Sequence, residues 1–273
     1  MTILDEIVEH KRQELGRLRV EVPRGELERR GAARPAPRDL ARALRPEPGG
    51  VRLLAEVKKA SPSRGVLAER FDPLTLAETY AANGAAALSV LTDEKYFQGS
   101  LDFLTAIRER VAVPVLRKDF TLDEYQVWEA RAAGADAVLL IVSILEAAQL
   151  RDLREAAAGL GLGALVEAHT ASEIDVALGA GARIVGINNR DLKTFETRIE
   201  VSLELLPLIP PDVIAVSESG FFTADQVRAV VAAGAHAVLV GEALVRAPDV
   251  GAKVRELALG GMGGHVGAPH CGR

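Results

Sequence analysis

The stretch Ala133-Gly-Ala-Asp-Ala-Val-Leu-Leu-Ile-Val142 joins the end of a helical pattern to an apolar run. The preceding residues, Leu122–Ala133, are rich in Ala, Glu and Arg and suit a helix. Gly134 suits its left-handed C-cap, and Ala137–Val142 suits a strand buried on both faces. The same junction recurs as Asn83-Gly-Ala, Ala180-Gly-Ala and Ala233-Gly-Ala, each closing a helical pattern ahead of an apolar run, at a period of about 50 residues.

Outward from these four junctions, apolar runs suited to buried parallel strands fall at Leu53–Val57, Ala87–Leu91, Val113–Leu116, Ala137–Val142, Ala164–Val166, Ile184–Ile187, Val213–Val216 and Ala237–Val240. Helical patterns separate them, among them Leu74–Ala82, Leu145–Ala158, Ala171–Ala180 and Ala224–Ala233. Parallel neighbours need a crossover between them. Eight strand–helix units of about 20–35 residues, without a domain break, predict an α/β protein: a single (β/α)8 TIM barrel over residues 51–258 rather than an open doubly wound sheet. Residues 1–50 stand apart. Ile3, Leu4, Ile7, Val8, Leu15 and Leu18 make an amphipathic helix, followed by a proline- and arginine-rich connector from Arg34 to Gly50. This N-terminal helical extension is expected to cover one face of the barrel. The glycine-rich tail, residues 259–273, is expected to be disordered, and the irregular spacing of its His265, His270 and Cys271 argues against a metal site.

With 48% apolar residues in a chain of 273, one large core is feasible. The 33 basic and 38 acidic residues, −5 overall, argue against a mainly electrostatic nucleic-acid partner and leave small-molecule ligands open. Cys271 is the only cysteine, so no disulfide framework is expected and a reducing cytoplasm fits. Met1-Thr-Ile-Leu-Asp-Glu carries acids where a signal peptide carries bases, and no apolar run reaches the roughly 18 residues of a membrane span.

In such a barrel the site forms at the C-terminal ends of the strands. Those ends read Glu56-Val-Lys58, Lys118-Asp, Glu167-Ala-His, Asn188-Asn-Arg190 and Ser217-Glu-Ser-Gly220. Side chains alternate across a strand, so Glu56 and Lys58 share a face, as do Asn188 and Arg190, and Leu116 and Lys118. With these faces inward, three cations and the carboxylates of Glu56, Glu167 and Glu218 ring one cavity, an arrangement costly to desolvate unless a ligand uses it. Arg117 and Asp119, of opposite parity, are expected to pair with surrounding helices. His169 is expected to begin the loop before a helix cap at Thr170 or Ser172. Ser219-Gly-Phe and Gly241-Glu-Ala, after the seventh and eighth runs, place glycines where barrels hold phosphate. Ser61-Pro-Ser63 adds hydroxyls in the first loop.

Six ordered motifs carry a family resemblance: Leu54-Ala-Glu-Val-Lys-Lys-Ala-Ser-Pro-Ser63, Leu88-Ser-Val-Leu-Thr-Asp-Glu-Lys-Tyr-Phe-Gln-Gly99, Leu116-Arg-Lys-Asp-Phe120, Leu165-Val-Glu167, Gly186-Ile-Asn-Asn-Arg-Asp-Leu192 and Ser217-Glu-Ser-Gly220. From about residue 1 to 258 the chain resembles the indole-3-glycerol-phosphate synthase family of tryptophan biosynthesis. The resemblance implies a carboxy-lyase whose N-terminal helical extension caps the barrel mouth. It would convert 1-(2-carboxyphenylamino)-1-deoxyribulose 5-phosphate into indole-3-glycerol phosphate, carbon dioxide and water.

It implies Lys118 as the acid that protonates the ketone as the aryl carbon attacks. Nearby cations and burial would lower its pKa, with neighbouring carboxylates limiting the shift. By the same resemblance Glu167 is the base, Lys58 orients the substrate carboxylate or serves as a second acid, and Glu56 orients the lysines. Asn188, Glu218 and Ser219 bind substrate, Arg190 contacts its anionic part or steadies the carboxylates, and Phe97 and Phe120 pack on its aromatic ring. Ser61, Gly220, Gly241 and the backbone amide of Glu242, which stands where some relatives have serine, hold phosphate. No step needs redox chemistry, so neither a metal nor an organic cofactor is expected. The expected partner is the phosphosugar substrate, with no nucleic acid, membrane or obligate protein partner. A phosphoribosylanthranilate isomerase-like barrel would share the phosphate site but has no call for this lysine-and-glutamate set, and a non-catalytic phosphate-binding barrel would tolerate loss of Lys118.

Overall fold

The structure is a computed structural model that describes residues 2–68, 70–191 and 194–259. The expectation for the tail, including His265, His270 and Cys271, falls outside the described residues beyond Leu259. Eight parallel strands among the described residues close on themselves: β1 (Arg52–Val57), β2 (Ala87–Leu91), β3 (Val115–Lys118), β4 (Ala137–Ile141), β5 (Gly163–Ala168), β6 (Ile184–Asn188), β7 (Ile214–Glu218) and β8 (Ala237–Val240). Leu54 of β1 lies opposite Ala87 of β2 on one side and Leu239 of β8 on the other, which closes the ring. No helix among the described residues is long and apolar enough to cross a membrane.

The repeated glycine junctions have a common geometry. Gly84, Gly134, Gly181 and Gly234 all have positive φ, from 79° to 110°. The alanine after each donates its N–H to the carbonyl five residues back, at 2.9 to 3.0 Å, which ends the helix and turns the chain into the next strand. The third strand starts two residues later than its apolar run. Pro114 has no N–H to donate, so pairing begins at Val115 and extends to include Lys118.

Side chains of alternate residues fill the barrel interior: Leu54, Ala87, Leu116, Leu139, Leu165, Ile184, Val216 and Leu239 form one apolar cluster below the strand ends. The opposite parity packs against the outer helices.

The N-terminal extension does more than cover one face. Helix α1 (Ile3–Glu21), opened by a Thr2–Asp5 capping box, lies over the mouth, where Ile3, Leu4 and Ile7 form part of the cavity wall. Helix α2 (Arg24–Ala33) runs along the helix Glu124–Ala133, and Arg24 sits 5.3 Å from the ring centre of Trp128. The connector, expected to be irregular, contains a third helix, α3 (Leu40–Leu44). Leu40 and Leu44, 1% and 0% exposed, join the interior cluster from the opposite end and plug the barrel floor. Asp136, just before β4, anchors this segment by accepting from the Arg38 N–H at 2.7 Å.

Candidate active site

The inward residues of β1, β3, β5, β6 and β7 converge on a cavity that is open to solvent at the barrel mouth. Lys118, at the last residue of β3, donates to Glu167 Oε2 of β5 and Glu218 Oε2 of β7, each at 2.8 Å. Glu56 of β1 accepts from Lys58 at 2.5 Å. The side-chain amide of Asn188 donates to Glu167 Oε1 at 3.1 Å, and Asn188 Oδ1 accepts from the N–H of Arg190 at 3.0 Å. One wall is apolar: Phe97 and Phe120 lie with ring centres 6.1 Å apart, beside Ile7, Leu4, Leu139 and Ile141.

Two glutamates share one ammonium, yet their acidities diverge. Burial raises both carboxyls, but Glu167 also faces Lys118 and His169 and accepts from Asn188, and its pKa ends below the ordinary range. Glu218 has Lys118 as its counter-ion while Oε1 is buried without a hydrogen-bond partner among the described residues. Burial, the charge of Glu167 and, further off, Glu56 outweigh Lys118 and raise it.

Lys118 departs from the expectation of a lowered pKa. Burial does push it down, but Glu167, Glu218 and Glu56 overbalance that and raise it. The reason is placement: the other lysine, Lys58, is held by Glu56, so the groups nearest the Lys118 ammonium are carboxylates. These carboxylates favour the protonated form of Lys118, the state a proton donor requires.

A second hollow opens beside the first, lined by Lys58, Arg190, Ser219, Gly220, Gly241 and Glu242. Two cations, Lys58 and Arg190, and two carboxylates, Glu56 and Glu242, face one another across it, beside the glycine turns at Gly220 and Gly241. Gly241 lies so close to the Glu56 carboxylate that any Cβ there would collide with it. Arg190 donates from Nη1 to Ser63 Oγ at 2.6 Å, and its Nη2 is 3.6 Å from Glu242 Oε2. Arg246 and Arg64 also reach the Glu242 carboxylate, at 3.1 and 3.6 Å. Ser61 lines the first cavity and not this hollow, whereas Ser63 engages Arg190 directly.

Outside the ring, Arg117 pairs with Glu129 at 2.6 Å on the neighbouring helix, as its parity implies. Asp119 binds Lys11 of α1 at 3.0 Å. His169 sits at the start of the loop, its N–H donating to Glu173 at 2.6 Å, with Thr170 as the helix N-cap. Its ring is nonetheless near the site, with Nε2 3.6 Å from Glu167 Oε1. Sequence reading missed Phe195, which lines the cavity, and Lys11, which fastens α1 over it.

Comparison with known proteins adds to this geometry. The family model described as "Indole-3-glycerol phosphate synthase" matches residues 4–257. A protein of that name from Roseiflexus sp. (strain RS-1) is 53% identical over 267 residues, covering 95% of this chain and 99% of the relative. Another from Chlorobium chlorochromatii (strain CaD3) is 53% identical over 245 residues, 89% and 95% of the two chains. A crystal structure of 3-hexulose-6-phosphate synthase superposes with a TM-score of 0.64 at 20% identity, over 77% of this chain and 99% of that one; it shares the fold.

Proposed function

Because the chain belongs to the indole-3-glycerol phosphate synthase family, a carboxy-lyase family of tryptophan biosynthesis that couples ring closure to decarboxylation, we propose that its chemistry centres on Lys118, with Glu167 and Glu218 on either side. The observation that carries this is the Lys118 ammonium held 2.8 Å from both carboxylates on a rigid strand, between an apolar wall and the hollow that holds Lys58 and Arg190. The substrate 1-(2-carboxyphenylamino)-1-deoxyribulose 5-phosphate has a matching shape: an aryl group at one end, a phosphate at the other and a ketone between.

In this reading the phosphate enters the hollow beside Gly220 and Gly241, facing Arg190 and Lys58, and the aryl ring lies against Phe97 and Phe120. The ring carbon that bears the carboxylate attacks the ketone carbon. Lys118 gives a proton to the ketone oxygen as its C=O π bond breaks, so no free alkoxide forms. Loss of carbon dioxide returns its C–C bonding pair to the ring and restores the benzene system. Glu167 then takes the proton from the carbon next to nitrogen, the hydroxyl leaves with a proton as water, and the pyrrole double bond forms. Lys118 lies against Glu167, so a proton can pass between them and reset the pair. Lys58, fixed by Glu56, sits where it can meet the substrate carboxylate or phosphate.

The test follows indole fluorescence with purified protein and this substrate, comparing wild type with Lys118→Ala. General acid catalysis contributes about 10²–10⁴-fold, so turnover should fall by that order while the variant still binds substrate. Turnover that survives the substitution would move the acid elsewhere, with Lys58 the next candidate. Absence of turnover in wild type would remove the reading altogether.

A further inference from the structure

The turn after β7 holds a conformation that its first residue disfavours. Ser219 has φ +71° and Gly220 φ +90°. Glycine adopts such a φ freely and serine does not, so a contact must hold Ser219 there. Asn189 makes that contact. Its side chain is 2% exposed; Nδ2 donates to the Ser219 carbonyl at 3.0 Å and to Ser217 Oγ at 3.1 Å, and Oδ1 accepts from the N–H of Ser202 at 3.0 Å. These partners fix which end of the amide is nitrogen, since the Ser202 N–H only donates and the Ser219 carbonyl only accepts. The backbone of Asn189 is tied as well: its N–H donates to the Glu218 carbonyl at 2.9 Å, and its own carbonyl accepts from Arg198 at 2.9 Å.

Asn189 lines neither the cavity nor the hollow. Its two chain neighbours, Asn188 and Arg190, face the cavity, so the alternation of the chain turns Asn189 outward, toward the β7 turn. We infer that Asn189 is a positioning residue for phosphate recognition: by holding the Ser219 carbonyl it keeps the Ser219–Gly220 turn in the left-handed shape that borders the hollow holding Lys58 and Arg190. The inference rests on the proposed phosphate site.

The test titrates inorganic phosphate into the full chain by calorimetry and measures steady-state kinetics beside it, for wild type, Asn189→Ala, Asn189→Asp, Ser219→Gly and the double variant Asn189→Ala/Ser219→Gly. Asn189→Ala should weaken phosphate about tenfold, the fold-change of one lost buried hydrogen bond. It should raise KM more than it lowers kcat, because a phosphate grip acts on bound substrate and transition state alike. Adding Ser219→Gly should restore most of the affinity, since glycine keeps the turn without a strut, and a general structural role for Asn189 would show no such rescue. Asn189→Asp keeps the size and loses the donor, so it gives the same reading if the alanine variant does not fold. Wild type that fails to bind phosphate would overturn the phosphate site itself. Wild-type binding that the Asn189 variants share, or a loss that Ser219→Gly does not repair, would overturn the role of Asn189 and leave the site standing.

Discussion

The decisive residues at the site are three charges that cannot all be satisfied at once. Lys118 neutralises one carboxylate fully, and Glu167, with its extra donor from Asn188, is the better placed to be that one. Glu218 takes the remainder, and burial raises its carboxyl to about 7. Two consequences have the same sign. Protonated Glu218 repels an anionic substrate less, so kcat/KM should fall as pH rises through about 7. Because its folded-state pKa lies above its unfolded value, its contribution to stability is fully present below the ordinary carboxylate pKa and is lost as pH rises from there through about 7. Glu218→Gln should flatten both, measured as the pH profile of kcat/KM and the pH dependence of the thermal midpoint. An inflection that persists in the variant would assign the titration to another group.

Among the elements, α1 behaves as a fastened lid, and Lys11 is the buried charge that fastens it. Lys11 is 3% exposed and places Nζ 3.0 Å from Asp93, 3.0 Å from Asp119 and 2.7 Å from Glu14. Asp93 caps the short helix Glu94–Phe97, and Asp119 follows Lys118 directly. One ammonium therefore binds α1 to the segments that carry Phe97, Lys118 and Phe120. Burial lowers the pKa of Lys11, and the three carboxylates overcome it, so the charge is permanent. Lys11→Met would leave Asp93 and Asp119 facing each other in the interior, where breaking a buried pair costs about 3–5 kcal/mol. A lowered thermal midpoint together with a raised KM is expected, the latter because Ile3, Leu4 and Ile7 lose their seat on the cavity. An unchanged KM would mean that α1 holds its place without this ion cluster.

How far the sequence could be read differs between elements for physical reasons. The strands and the inward parity of Glu56, Lys118 and Asn188 were legible because strand alternation has a fixed period of two and needs only local information. Lys11 was not, since a lysine on an amphipathic helix reads as a solvated charge until two carboxylates distant in sequence, Asp93 and Asp119, close around it. Asn189 was hidden by its own neighbours: in Asn188-Asn-Arg190 the residues of inward parity drew the functional reading. Helix α3 escaped because five residues between prolines are too few to show helical periodicity.

At the scale of the whole molecule, chemistry and closure lie at opposite ends of one barrel. Glu56, Lys118, Glu167 and Glu218 place charge at the mouth, and apolar side chains fill the interior toward the floor, where Leu40 and Leu44 seal it. Leu44→Ala should cost about 2–5 kcal/mol through the cavity it leaves and lower the thermal midpoint, while kcat/KM at a temperature where the variant is folded stays unchanged. A large loss of activity in the folded variant would show that the floor and the mouth are coupled through the interior.

The double role of residues 3–44 also sets a timetable. They leave the ribosome before any barrel strand exists, yet Arg38 must wait 98 residues for Asp136, and Leu18 must wait 107 for Tyr125. At about 5–20 residues per second, that is several seconds or more in which Ile7, Leu40 and Leu44 have no interior to enter. A segment synthesised ahead of the barrel therefore docks only after much of the barrel has been made. During that interval its apolar faces are open to chaperones and to aggregation, an exposure that the finished barrel does not show.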